Sequence, residues 1–229
     1  MSIYVTGDTH GSGDFYKLRK FADEHRELTK EDYVIIAGDF GAVWDSKTLS
    51  DDLKSYSELP FTVLFVDGNH ENFDIINSYP IEIWHGGKVH KIKPGIIHLM
   101  RGQIFEIEGK TFLTLGGATS IDKIYRREGI SWWMQEALSI EDLDRAVANL
   151  KRYNNKVDYI VTHSCGQRAL LYPPLRNRKF QIGVYPENVL LTDIEDAANF
   201  NHWYFGHYHM DADLNDKMTV LFNNIIKLA

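Results

Sequence analysis

Residues Tyr33 to Phe40 read Tyr-Val-Ile-Ile-Ala-Gly-Asp-Phe, an apolar and β-branched run closed by Gly38 and Asp39. A short run without polar alternation predicts a strand buried on both faces, the condition of a strand inside a parallel sheet. The Asp39 carboxylate then falls just past the strand's C-terminal end, where open α/β sheets place their ligands. The same order recurs along the chain. Ile3-Tyr4-Val5-Thr6 leads into Gly7-Asp8-Thr9-His10-Gly11, and Phe61 to Val66 leads into Asp67-Gly68-Asn69-His70-Glu71. Val157 to Val161 leads into Thr162-His163, and Trp203-Tyr204-Phe205 leads into Gly206-His207-Tyr208-His209. Five strand-like runs thus bring Asp, Asn or His to one rim of a sheet, and that rim is the predicted active site.

Helical spacing fills the intervals. Asp14 is placed to cap a helix from about Phe15 to Glu27, with Leu18, Phe21 and Ala22 on one face. Leu49, Leu53 and Tyr56 lie at helical spacing before Pro60, and a short helix is expected over 72–78, ended by Pro80. This β-α-β-α-β-α rhythm implies right-handed crossovers and a parallel sheet. From Ile81 to Gly116 the rhythm changes to strand-like pieces at 88–92, 96–100, 104–107 and 111–115, divided by Gly-containing turns. Such spacing predicts antiparallel hairpins, read as a second sheet packed beside the first. Ser139 and Asp142 form a capping-box start for a helix to about Tyr153, with Leu143, Ala146, Val147 and Leu150 inward. The stretch 164–185 reads as a long irregular connection, and connections of that length are commonly functional, so it is a candidate lid. A helix over 187–199, and a hairpin turning at Asn215-Asp216, complete the chain.

With 229 residues and no Gly-, Ser- or Pro-rich linker, the expectation is one domain over 1–229. The net charge of −7 argues against a broad contact with duplex nucleic acid while leaving room for a small phosphate pocket. A single cysteine, Cys165, excludes an internal disulfide and fits a reducing compartment. The chain enters a strand at once, with neither a signal-peptide pattern nor a long apolar span. A cytoplasmic protein is expected, with no membrane partner and an oligomeric state that these features leave open.

The rim collects Asp8, His10, Asp39, Asn69, His70, His163, His207 and His209. Imidazole, carboxylate and amide oxygen together suit first-row divalent ions such as manganese, iron or zinc. One ion would use four of these residues at most, so seven plausible ligands imply two divalent ions sharing a carboxylate, about 3.5–4 Å apart in sites of this kind, with Asp39 on the central strand as the bridge. In Asp8-Thr9-His10 and His207-Tyr208-His209 an extended backbone would set residues i and i+2 on one side, so that each pair reaches toward one cluster.

Gly-Asp-Thr-His-Gly at 7–11, Gly-Asp at 38–39, Gly-Asn-His-Glu at 68–71, Thr-His at 162–163 and Gly-His-Tyr-His at 206–209 resemble the motifs of the calcineurin-like metallophosphoesterases, in family order. The resemblance implies that Asp8, His10, Asp39 and His209 hold one metal. It implies that Asp39, Asn69, His163 and His207 hold the other, with His70 beside the leaving oxygen. Gly-Asp-Phe-Gly-Ala-Val-Trp at 38–44, Gly-Asn-His-Glu-Asn-Phe-Asp at 68–74, Gly-Gly-Ala-Thr-Ser at 116–120 and Ser-Trp-Trp at 131–133 look like a subgroup of small bacterial and phage phosphoesterases. No arginine follows Asp39 within 40–44, a departure from protein Ser/Thr phosphatases and dinucleoside-tetraphosphate hydrolases. The expected fold is α/β, a four-layer α-β-β-α sandwich of two central mixed sheets flanked by helices.

The implied activity is metal-dependent hydrolysis of a phosphate ester, a phosphodiester or nucleotide-type substrate being favoured. Two dications lower the pKa of a bridging water and neutralise phosphoryl charge during in-line attack, and His70 assists the leaving group. Asn69, Arg126 and Arg127 are the candidate substrate contacts, the two arginines as a bidentate phosphate clamp or as solvated surface groups. Arg101 is open in the same way. Trp44, Trp132 and Trp133 are placed to stack a base or to pack the loop onto the core. Glu71 is expected to orient an imidazole or to favour the start of the next helix. Cys165 is expected to be buried and inert, and His25, His85, His90, His98 and His202 to serve surface or packing roles. The alternatives are a metal-dependent nuclease and an inactive metal-binding scaffold.

Overall fold

A computed structural model describes residues 1–177 and 183–228. In chain order its elements are β1 (Ile3–Thr6), α1 (Tyr16–Glu24), β2 (Tyr33–Ala37), α2 (Leu49–Ser57), β3 (Thr62–Val66), α3 (Phe73–Ile76), β4 (Ile81–Trp84), β5 (Gly87–Lys93), β6 (Ile96–Leu99), β7 (Gln103–Ile107) and β8 (Lys110–Leu115). They continue as α4 (Ile140–Arg152), β9 (Lys156–Thr162), α5 (Pro173–Arg176), α6 (Pro186–Ala197), β10 (Asn199–Phe205), β11 (Ala212–Asn215), β12 (Met218–Val220) and β13 (Ile225–Lys227).

Two mixed sheets form the centre. The first has the order β13-β1-β2-β3-β6-β5-β4 and the second β11-β12-β10-β9-β8-β7. In the first, β1, β2, β3 and β6 run parallel, as the unbroken apolar runs require, and β13, β5 and β4 are antiparallel additions. Alternation along each strand separates three cores. Val34 and Ile36 face α1 and α2 through Leu18, Phe21, Leu53 and Tyr56, while Ile35 and Ala37 face the second sheet. Val161 and Tyr204 return the contact between sheets, and Ile160 and Trp203 face α4 and α6. The result is the expected four-layer sandwich. Each fully buried large apolar side chain stabilises it by about 1.5–3 kcal/mol. Trp203, 1% exposed, also satisfies its Nε1–H on Thr162 Oγ1 at 2.8 Å.

Several expectations are corrected. The 81–116 segment does not make a sheet of its own: β4, β5 and β6 extend the first sheet, and β7 and β8 join the second. Hairpin spacing specifies neighbours along the chain and says nothing of which open edge they reach. Ile96–Leu99 is buried on both faces, and this favours its parallel place beside β3. The five strand ends consequently belong to two sheets that face each other. The tail contains the expected β11–β12 hairpin but then crosses back as β13 to pair with β1. Asp14 does not cap α1; Phe15 precedes it, without a side-chain cap. The Ser139–Asp142 capping box is present at α4. Within the candidate lid, α5 and a 3₁₀ turn at Ala169–Leu171 are ordered elements, and residues 178–182 of it lie outside the described residues.

Candidate metal centre

Asp8 and His10 follow β1, Asp39 follows β2, and Asn69 and His70 follow β3, all at the C-terminal ends of the first sheet. His163 follows β9, and His207 and His209 follow β10 of the second. Four of these residues have a left-handed backbone: His10 at φ 44°, Asp39 at 47°, His207 at 68° and His209 at 46°. Non-glycine residues in this region cost of order 1–3 kcal/mol each, so the surrounding loops must hold them there. The extended-backbone argument for the two His-containing triplets therefore fails. Asp8 and His10 do enter one donor group, but the turns at His207 and His209 send those two rings into different groups.

One group comprises Asp8, His10, Asp39 and His209, and the other Asp39, His163 and His207, the donor atoms of each lying within 4.8 Å of one another. Asp39 belongs to both. Its Oδ2 faces His10 Nε2 at 3.4 Å and its Oδ1 faces His163 Nε2 at 3.2 Å. Asn69 Oδ1 stands 3.2 Å from the same His163 Nε2, on the second group's side. His209 Nε2 is 3.2 Å from Asp8 Oδ2, a fully buried oxygen without a hydrogen bond. Its lone pairs are open to the cluster.

The buried carboxylates demand positive charge. Burial alone would raise Asp39 and depress His163, yet the pairing with His163, then His10, holds Asp39 well below the usual carboxylate range. Against the same burial, the carboxylates hold His163 up at about 10 and His10 up at about 9. Burial and the neighbouring His163 press His207 down to about 3. Two charged carboxylates, one of them shared, beside imidazole nitrogens and an amide oxygen form a donor set that fits first-row divalent ions.

Outer contacts fix ligand orientation. Asp14 Oδ2 meets His10 Nδ1 at 2.7 Å, and Ala37 O meets His163 Nδ1 at 2.9 Å, so each ring turns Nε2 toward the cluster. His70 N donates to Asp39 Oδ1 at 2.8 Å, and His207 N donates to Asp8 Oδ1 at 2.9 Å. Gly38, at φ 88°, has no room for a side chain because a Cβ would lie 2.1 Å from His163 Nδ1.

Glu71 orients no imidazole. Fully buried, it accepts main-chain N–H groups of Phe40 at 2.6 Å, Gly41 at 3.4 Å and Gly68 at 2.8 Å, tying the Asp39 loop to the Asn69 loop. Burial, then Asp39 and Asp67, raise its carboxyl, and the Gly68 N–H opposes that rise. Its place directly after the Gly-Asn-His motif was the only signal in the chain. Asp14 carried one too, at position i+4 from His10, but read as a helix cap.

The His70 ring meets His10 edge-on at 5.2 Å and lies 5.7 Å from the Trp44 ring. Burial, then His10 and Arg126, hold it below the usual histidine value despite Asp39. Arg126 is fixed through Nε to Asp122 at 2.8 Å and through Nη1 to Ser120 Oγ and Ser131 O. The Arg127 side chain is exposed and makes no hydrogen bond or ion pair among the described residues. Arg101 is engaged elsewhere: its guanidinium grips Asp67 and the carbonyls of Gln135, Glu136 and Ala137. His98 completes that pair through Asp67 Oδ1 at 3.1 Å, and His90 follows at 3.1 Å. These two histidines are thus part of a buried polar chain, which their sequence spacing did not disclose. Trp133, 3% exposed, packs with its Nε1–H on Asp74, whereas Trp132 lies under Lys123. Cys165 is buried, and burial pushes its thiol up to about 12.

Similarity follows the same geometry. No curated protein matches the chain. Among solved structures, a putative 5'-nucleotidase from Staphylococcus aureus, in complex with alpha-ketoglutarate, superposes with a TM-score of 0.53 at 14% identity, covering 99% of this chain and 50% of that one. The present chain thus spans about half the length of that protein. TT1561 of Thermus thermophilus also superposes with a TM-score of 0.53, at 11% identity, covering 99% of this chain and 97% of its own. At such identities the likeness is one of fold. The family profile of calcineurin-like phosphoesterases matches residues 1–211, every motif on the two facing rims included, and the chain belongs to that family.

Proposed function

We propose that the chain, acting as a single domain over 1–229, is a two-metal phosphoesterase of the cytoplasm. Its favoured substrate is a phosphodiester or nucleotide-type ester. The observation that carries this reading is Asp39, whose two oxygens face two separate donor groups. Asp8, His10, Asp39 and His209 would hold one ion, and Asp39, Asn69, His163 and His207 the other. Manganese, iron and zinc all suit the donors. When bound, such ions supply an activated water and neutralise charge on the phosphoryl oxygens.

The chain's own groups do the rest. His70 is anchored through its N–H on the shared carboxylate, which places its ring beside the cluster without making it a ligand. From there it hands a proton to the leaving oxygen. Asn69 stands beside His163, and Arg126, held by Asp122 and near enough to His70 for its charge to act on that ring, would offer its guanidinium to phosphate oxygens with Arg127 next to it in sequence. Trp44, tilted against His70 at 5.7 Å and edge-on to Trp133 at 5.3 Å, would wall the leaving-group side. The net charge of −7 disfavours the nuclease alternative. Among the described residues no helix is long and apolar enough to cross a membrane.

The test is turnover of bis-p-nitrophenyl phosphate against p-nitrophenyl phosphate by manganese-reconstituted protein, with Asp39→Asn alongside. Diester cleavage that vanishes in Asp39→Asn supports the reading. No turnover of either ester by protein with two bound ions refutes it in favour of the scaffold.

A further inference from the structure

Lys17 of α1 is 5% exposed, and no carboxylate lies within ion-pair distance of it among the described residues. Its ammonium donates instead to three main-chain carbonyls: Gly7 at 3.1 Å, Asp8 at 2.5 Å and Phe222. A buried ammonium is costly unless hydrogen-bonded, so carbonyls converging on one side chain mark a point where the path of the chain is held. Asp211 grips the same turn from the other side. Its carboxylate accepts the N–H groups of Phe222 at 2.8 Å, Asn223 at 3.0 Å and Asn224 at 3.0 Å.

The gripped turn, 221–224, is where the chain leaves β12 of the second sheet for β13 of the first, beside β1. It touches both halves of the first donor group. On the Asp8 side, a Cβ on Gly7 would lie 2.1 Å from Leu221 O, so the turn abuts the backbone of Gly7, the residue before Asp8. On the His209 side, the Phe222 ring stacks on the imidazole at 4.9 Å and 18°. His209 needs such support. Its side chain is 49% exposed, and its Nδ1 has no protein hydrogen-bond partner among the described residues, unlike the Nδ1 atoms of His10 and His163.

We propose that Lys17, Asp211 and Phe222 are positioning residues for the first donor group. They hold the 221–224 turn as a strut that sets the approach of Asp8, on one sheet, to His209, on the other. The inference rests on the two-metal reading and assigns the strut to one site only. Its stacked phenyl ring does for His209 what a hydrogen-bonded outer partner does for other ligating histidines.

Calorimetric titration of manganese into wild type, Phe222→Leu, Asp211→Asn, Lys17→Met and Phe222→Tyr tests it, with thermal unfolding as the check on folding. Wild type is expected to take up two ions. Phe222→Leu and Asp211→Asn should weaken one of the two by about 10-fold or more and leave the other within twofold. Phe222→Tyr, which keeps a stacked ring, should restore it. Should Lys17→Met not fold, the Phe222 pair decides. A folded Phe222→Leu with both affinities unchanged overturns the proposal, and so does equal weakening of both sites. Wild type that binds fewer than two ions refutes the two-metal reading itself, before any variant is compared.

Discussion

Replacing Arg101 by methionine tests whether a buried ion pair holds the loop that ends in the Asn69–His70 pair. The Asp67 side chain is 2% exposed and that of Arg101 11%, so solvent does little to screen them. Arg101 donates through Nε at 2.8 Å and through Nη2 to Asp67 Oδ2, and through Nη1 to Ala137 O at 2.8 Å and Asp142 Oδ2 at 3.3 Å. Methionine fills the aliphatic path but leaves Asp67 charged and half-paired, with only His98 still in contact. Breaking one side of a buried pair costs about 3–5 kcal/mol. For a chain of this size that is a fall in Tm of about 6–20 °C. The pH dependence gives a sharper test. Against burial, Arg101 and then His98 hold the Asp67 carboxyl far below the carboxylate range. A depressed folded pKa means that the pair's stability is present above the unfolded value, about 3.9, and is lost as pH falls through the folded one. In Arg101→Met burial dominates and the carboxyl rises. The stability gap between wild type and variant should therefore be full at pH 7 and narrow toward pH 4.5, as followed by urea unfolding at each pH. A gap under about 1 kcal/mol, or one equal at both pH values, refutes the reasoning, since either would mean that the pair behaves as a screened surface contact.

Glu71→Gln keeps the shape but turns an NH₂ group toward one of the main-chain donors of Phe40 and Gly68. It should cost about 1–3 kcal/mol in urea unfolding and weaken manganese binding, because it loosens the two loops that carry Asp39 and Asn69. In Arg127→Ala, the KM for diesters should rise at least several-fold (roughly one lost charge-assisted hydrogen bond), and an unchanged KM would remove Arg127 from the site; Arg126→Ala should do more, since its guanidinium is held in place by Asp122. His70→Ala should slow cleavage by about 10²–10⁴-fold for alkyl leaving groups and much less for p-nitrophenolate, which departs without a proton. Equal losses for both would exclude leaving-group protonation.

Much of the site was legible because its parts are local. Each donor sits within a few residues of the end of an apolar run, and runs such as Val34–Ile36 or Val63–Val66 have no polar break that would admit another element. The resemblance to the calcineurin-like phosphoesterases could be read for the same reason, its motifs being short and consecutive. Where the reading failed, the missing information was long-range. Asp14 sits where a helix cap would, and only the placing of His10 beside it shows the other use. Glu71 accepts two of its three hydrogen bonds from residues about thirty positions away, and Arg101 reaches Asp67 and residues 135–137 in the same manner.

The amino-acid sequence by itself determined the chemistry of the donors, the strands that deliver them and the absence of an internal disulfide, because composition, periodicity and order along the chain are enough for these. Only the tertiary structure decided that the strand ends belong to two facing sheets, that the 81–116 strands divide between them, and that Asp39 turns one oxygen to each group. It alone brought Lys17, Asp211 and Phe222 together under Asp8 and His209. The physical reason lies in what hydrogen bonds and side-chain periods specify. A period of two tells which residues share a face of a strand, and an apolar run tells that the strand is buried. Neither names the partner strand. That choice is made by the packing of all three cores at once, and left-handed turns at His10, Asp39, His207 and His209 are held only because that packing surrounds them.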